Sequence, residues 1–267
     1  MNLDKLPLAA AIKLMLSEEA QVPKRVLSQR HRIERVIHAI VRAFRRGGRL
    51  FYVGAGTSGR LGALDASECP VTFRTKPNMV QGIIAGGRSA LWKPVEGAED
   101  DAEAGCQAMK CSRVGCRDVV VGISASGTTP FVWGALRHAK RCEATTVLVC
   151  FNPLVRIPPA ARPAIVIALK LGPEVLTGST RLKAGTATKL LLNIFTTLAM
   201  VRLGKVMSNL MTDLHPVNAK LRDRAVRIVQ DLSRVDYATA QAALQRNNWI
   251  IKRAVGRLNR RSTLRAR

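Results

Sequence analysis

Aromatic residues make up only 4% of this 267-residue chain. That leaves little from which to build a stacking platform for single-stranded nucleic acid. Acid is scarce too: 18 Asp and Glu stand against 43 Lys and Arg, a net charge of +25. The six cysteines, at positions 69, 106, 111, 116, 142 and 150, include no C-x-x-C pair. Such a scatter argues against a disulfide framework and suits a reduced interior. Cys106, Cys111 and Cys116 have no histidine near them in the sequence, so no metal is expected there. Long hydrophobic runs are also missing. Residues 190–201 are apolar but too few to span a bilayer, which takes about 20. The apolar stretch 8–16 follows Asp4 and Lys5 and runs into Ser17-Glu18-Glu19 with no clear cleavage site. The expectation is a soluble, cytoplasmic protein.

What is present in quantity is hydrophobic residue, 47% of the chain, enough for a sizeable core. The basic residues are spread along the chain, mildly concentrated in 24–49 and 246–267, with no helix-turn-helix, zinc-finger or RNA-binding signature. A solvated basic surface with an anionic small substrate is favoured over nucleic acid or an anionic membrane.

The stretch FYVGAGTSGRLGALDASECP, residues 51–70, organises the rest. An apolar run at 50–53 reads as a buried parallel strand. Gly54, Gly56, Thr57, Ser58 and Gly59 follow, and a helix starting near Ser58 carries Glu68. A strand entering a Gly/Ser/Thr loop at a helix N-terminus makes an anion site: the backbone can come close, the free N–H groups point outward, and the helix dipole favours negative charge.

Before this stretch, residues 1–48 read as helices. Val26, Ile33, Val36, Ile37, Ile40, Val41 and Phe44 form a stripe at helical spacing, and Gly47-Gly48 ends it. After it, apolar runs at 50–53, 80–85, 119–123, 146–150 and 164–169 alternate with helical patterns, the mark of βαβ units and a parallel sheet. The run 119–123 leads into a second hydroxyl loop, Ser124-Ala125-Ser126-Gly127-Thr128-Thr129, with Pro130 suited to the first turn of the next helix. Ligands of doubly wound sheets sit beyond the carboxyl ends of the strands, so the two loops are expected to face one crevice suited to a phosphate monoester.

Pro94–Asp101 is a dense acidic patch in an acid-poor chain. Asp100 and Asp101 read as helix-start acids. Glu96 and Glu99 flank the Gly97 break, and with Glu68 they supply carboxylates for paired acid and base chemistry. A third polar loop, residues 172–186, opens a long apolar helix that should be buried against the sheet or a partner subunit. Residues 205–267 read as helical, with Ala225, Ile228, Val229 and Leu232 at helical spacing and a basic, frayed tail from Arg257. Three regions result: N-terminal helices (1–48), a parallel-sheet domain carrying the hydroxyl loops (49–204), and a C-terminal helical region (205–267).

The segments GAGTSGRLGALDASECP, Ile84-Ala85-Gly86-Gly87, VEGAEDD, VVVGISASGTTP, GPEVLTGSTRLKAGTATKLLLN and GKVMSNLMTDL resemble the N-acetylmuramic acid 6-phosphate etherase family. Its members are sugar isomerase (SIS) domain proteins, and the likeness runs in order over roughly residues 4 to 255. The resemblance implies an αβα sandwich around a five-stranded parallel sheet, working as a homodimer on a phosphorylated amino sugar, with no metal or organic cofactor. The D-lactyl ether would be cleaved to give N-acetylglucosamine 6-phosphate and D-lactate in cell-wall sugar recycling. It places Glu68 on the proton-donor position and Glu99 on the second active-site carboxylate. Ser124, Ser126 and Thr129 would hold phosphate, Thr57 and Ser58 would lie near the sugar, and Ser179 and Lys183 would line the same pocket.

This chain departs from the family pattern where Thr128 replaces an arginine, so lower phosphate affinity is expected unless Arg60 or Arg181 compensates. It also begins without the family's usual Ser/Asn-containing N-terminal segment and stops short of the last C-terminal helix. Three other readings remain. One is a non-catalytic phosphosugar sensor, as the similar glucokinase regulatory protein is. The others are an aldose–ketose isomerase and a nucleic-acid binder, the last predicting steeply salt-dependent duplex binding.

Overall fold

The computed structural model describes residues 2–265, with side chains through Arg260. Three helices come first: α1 (Leu8–Glu19), α2 (Val22–Leu27) and α3 (Arg30–Arg45). The apolar stripe read from the sequence is buried along α2 and α3, from Val26 through Ile33, Val36, Ile37, Ile40 and Val41 to Phe44. Arginines of α3 such as Arg32, Arg35, Arg42 and Arg45 take the outer face.

Five strands then alternate with helices: β1 (Leu50–Gly54), α4 (Gly56–Phe73), β2 (Val80–Ile84), α5 (Ala102–Cys111), β3 (Val119–Ile123), α6 (Pro130–Arg141), β4 (Thr145–Cys150), β5 (Ile165–Ala168) and α7 (Lys183–Arg202). The sheet is wholly parallel, in the order β2-β1-β3-β4-β5. Burial on both faces explains why β1 and β3 read as unbroken apolar runs rather than alternating ones. Against one face, Phe51, Val53, Val120 and Leu148 pack with Phe131, Val132, Ala135 and Leu136 of α6 and Met109 of α5. On the other, α4 lies so close that a Cβ on Gly62 would meet the Tyr52 Cβ at 2.8 Å, and one on Gly82 would meet Ala63 at 2.5 Å. Helices on both faces of a five-stranded parallel sheet make the expected αβα sandwich.

The helix holding the apolar run 190–201 is longer than that run. α7 has 20 residues and by length and composition could cross a membrane, yet 56% of its apolar window is buried within the protein. Leu191, Leu192, Phe195 and Ala199 are fully enclosed, while Leu198 and Val201 stay open.

The chain divides into two compact units: residues 1–67 with 78–199, and residues 68–77 with 200–267. The second contains α8 (Ala219–Ser233), α9 (Tyr237–Arg246) and α10 (Ile251–Arg265). Ala225, Ile228, Val229, Leu244, Ile251 and Ala254 form its core. Asn218 and Asp236 cap α8 and α9 by accepting from the Leu221 and Thr239 N–H groups at 2.9 and 2.8 Å. Instead of fraying from Arg257, α10 continues to Arg265. Ala266 and Arg267 of that tail lie outside the described residues.

Candidate active site

In the sheet register Gly54 of β1 stands beside Ile84 of β2 and Ile123 of β3, so these three strands end level. The segments that follow, 55–59, 85–87 and 124–129, therefore leave one edge of the sheet. The strand order reverses between β1 and β3, the switch point where open α/β sheets take ligands. The two hydroxyl loops follow neighbouring strands, while the cavity described below is lined from the first loop and the acidic segment and by no residue of the second.

The first loop is tighter than expected, because α4 starts at Gly56 rather than near Ser58. Gly56 sits at φ +50°, the left-handed region glycine enters freely. Gly59 is packed so closely that a Cβ there would meet Ile84 Cγ1 at 2.6 Å and the Gly54 carbonyl at 2.7 Å. Thr57 and Ser58 occupy the first turn of α4, both partly exposed. The Thr57 methyl lies 3.8 Å from where a Cβ on Gly185 would stand, so the first turn of α7 reaches this loop.

The second loop is folded around Ser124. Its buried hydroxyl lies 2.8 Å from the Thr129 hydroxyl and accepts from the Gly127 N–H at 3.0 Å. The Ser126 and Thr128 hydroxyls pair at 2.7 Å and are exposed, Ser126 also accepting from the Thr128 N–H at 3.2 Å. Pro130 is the first residue of α6, as expected. Phe131 N–H donates to the Glu99 carbonyl at 3.0 Å, which pins the acidic loop beside this one.

That acidic loop closes a cavity of about 300 Å³ whose lining includes Gly56, Arg60, Pro94, Glu96 and Glu99. Glu99 is exposed there, and Asp101 caps α5 through the Ala104 N–H at 2.8 Å. Arg60 is anchored by its Nε, which donates to the Leu91 carbonyl at 3.2 Å. Glu68, the first residue of the second unit, is exposed on α4.

At the third loop, Ser179 is partly exposed, whereas Lys183 is 2% exposed and its Nζ stands 2.6 Å from Glu18 Oε2. Glu174 caps α7, its two carboxylate oxygens accepting from the Lys183 and Ala184 N–H groups at 3.0 Å each. Sequence reasoning did not find Glu18 or Glu174 as partners of Lys183. A pairing across 165 positions leaves no local signal, and a cap nine residues upstream does not follow the usual spacing.

The cysteines are all free. Cys106 Sγ lies 3.6 Å from His138 Nδ1, and Cys142 Sγ lies 3.4 Å from Nε2 on the far side of the ring. Among the described residues no three His, Cys, Asp or Glu side chains are grouped to hold a metal ion.

A wholly parallel sheet in this order, with hydroxyl loops beyond adjacent strand ends, is the architecture of SIS-domain proteins. Residues 32–140 match the family model described as the glucokinase regulatory protein N-terminal SIS domain. The fold is shared with phosphoheptose isomerase from Neisseria gonorrhoeae, at a TM-score of 0.53 and 12% identity, covering 75% of this chain and all (100%) of that one. At the level of sequence, the chain is 52% identical to the N-acetylmuramic acid 6-phosphate etherase of Gloeobacter violaceus, covering 95% of this chain and 82% of that protein. It is 46% identical to the Staphylococcus epidermidis protein of the same name, covering 96% and 86%. The chain belongs to the N-acetylmuramic acid 6-phosphate etherase family.

Proposed function

We infer that this chain is an N-acetylmuramic acid 6-phosphate etherase, forming N-acetylglucosamine 6-phosphate and D-lactate from its substrate and water. The observation that carries this reading is identity of about half to etherases along nearly the whole chain. The SIS-domain match to a regulatory protein favours a sensor only at the level of the shared domain, over residues 32–140.

An ether oxygen leaves poorly, so direct hydrolysis is slow. Opening the sugar to its aldehyde makes the proton on C2 acidic. A carboxylate removes that proton, the C3–O bond breaks, and a carboxylic acid protonates the departing lactyl oxygen. Water then adds at C3 of the unsaturated aldehyde, C2 regains a proton, and the ring closes. We assign the acid to Glu68 and the base or water-activating group to Glu99, roles that require one carboxyl protonated and one ionised. Support for Glu99 comes from its place in the cavity beyond the ends of β1 and β2. Ser126 and Thr129 hold the phosphate together with loop N–H groups, and Ser124 fixes the shape of that loop. Thr57, Ser58 and Ser179 border the sugar, while Lys183, buried and paired with Glu18, supports that border from behind. The protein works in the cytoplasm as a homodimer, with no membrane or nucleic-acid partner. The open Leu198 and Val201 of α7 suit a partner subunit.

The elimination route is checked by running the reaction in deuterium oxide, which should leave deuterium at C2, and the bond that breaks by repeating it in heavy-oxygen water and locating the label. Heavy oxygen at C3 of the product sugar, with unlabelled lactate, is the expected result. Label in the lactate hydroxyl would mean cleavage on the lactate side of the ether and would overturn the assignment of roles.

A further inference from the structure

Arg60 is the one cation lining the cavity that also contains Glu96 and Glu99, among the described residues. None of the ion pairs formed by those residues uses it. Its Nε is held by the Leu91 carbonyl, which fixes the plane of the guanidinium and leaves its terminal nitrogens for another acceptor.

Resting on the etherase reading, the substrate carries two anions, a phosphate on C6 and a carboxylate on the lactyl group at C3. The phosphate loop follows β3, whereas the cavity lies beyond β1 and β2, one or two strand spacings away or about 5–10 Å. That is the scale of a hexose, so a sugar phosphate anchored over β3 is long enough to bring its C3 substituent to the cavity. There its carboxylate would meet the two glutamates, and like charges without a cation between them are strongly disfavoured. A planar guanidinium takes a carboxylate through two parallel N–H donors, a geometry lysine cannot reproduce.

We propose that Arg60 binds the lactyl carboxylate and is the residue by which this site distinguishes its lactyl-bearing substrate from the lactate-free product. It does not stand in for the missing cation at Thr128.

The test measures binding by calorimetry in a Glu68→Gln background, so that substrate persists, with and without Arg60→Ala or Arg60→Lys. N-acetylmuramic acid 6-phosphate and N-acetylglucosamine 6-phosphate are titrated separately. Arg60→Ala is expected to weaken the first on the order of 100-fold and the second by no more than about 2-fold, with Arg60→Lys intermediate. Equal weakening of both sugars would make Arg60 a phosphate ligand or a structural residue and overturn the proposal. So would unchanged affinity for both. The etherase reading fails separately, if the wild-type chain releases no D-lactate.

Discussion

His138 carries a protonation signature with a physical cause at the scale of single residues. Burial lowers its pKa from 6.5, and the neighbouring charges of Lys110 and Arg141 lower it further, against a weaker raising effect of Glu103. The folded protein therefore binds the His138 proton less tightly than the unfolded chain does. Its contribution to stability is fully present above pH 6.5 and is lost as the pH falls from there through the folded value. NMR titration should find the His138 midpoint below 6.5, moving upward in Lys110→Gln. A midpoint at or above 6.5 would contradict the neutral ring between Cys106 and Cys142. None of this was legible in the sequence, where His138 is 32 positions from Cys106. Asp118 is a similar case. It accepts from the Arg49 backbone at 2.8 Å and from its guanidinium at 2.7 Å, a partnership across 69 positions. By contrast Glu99, Ser124 and Thr129 stood out because their segments combine residue types that a plain turn does not need.

Elements were far more legible than side-chain pairs. Each of the five strands falls within a residue or two of its expected place, because the central β1 and β3 are buried on both faces and read as apolar runs, and the edge strands keep apolar cores between turns. The start of α4 was missed by two residues, since a helix opening at positive φ on Gly56 has no hydroxyl cap to announce it. The tight β1–α4 crossing gives an element-scale prediction. Gly59→Ala puts a methyl against Ile84 and the Gly54 carbonyl and should destabilise by about 1–3 kcal/mol in urea unfolding. Gly115→Ala, with open space around its Cβ, serves as the neutral comparison. If both variants unfold at the wild-type midpoint, the loop is looser than described, and its role in shaping the anion site falls with it.

For the whole molecule, the excess of 25 positive charges is compatible with the anionic substrate of the proposed reaction. The parallel sheet of βαβ units followed from the hydrophobic runs, and the αβα sandwich was implied by the family resemblance. The family followed from the order of long motifs along the chain. What composition did not reveal is the division of the chain inside α4, just before Glu68. The account rests on Glu68 and Glu99 acting in one reaction. The most direct measurement is D-lactate release from N-acetylmuramic acid 6-phosphate by the wild-type chain, Glu68→Ala and Glu99→Ala. Lactate from the wild type, with a loss of about 100-fold or more in each variant, is the predicted result. A wild-type chain that binds the sugar phosphate but releases no lactate would contradict the account and leave a phosphosugar sensor in its place.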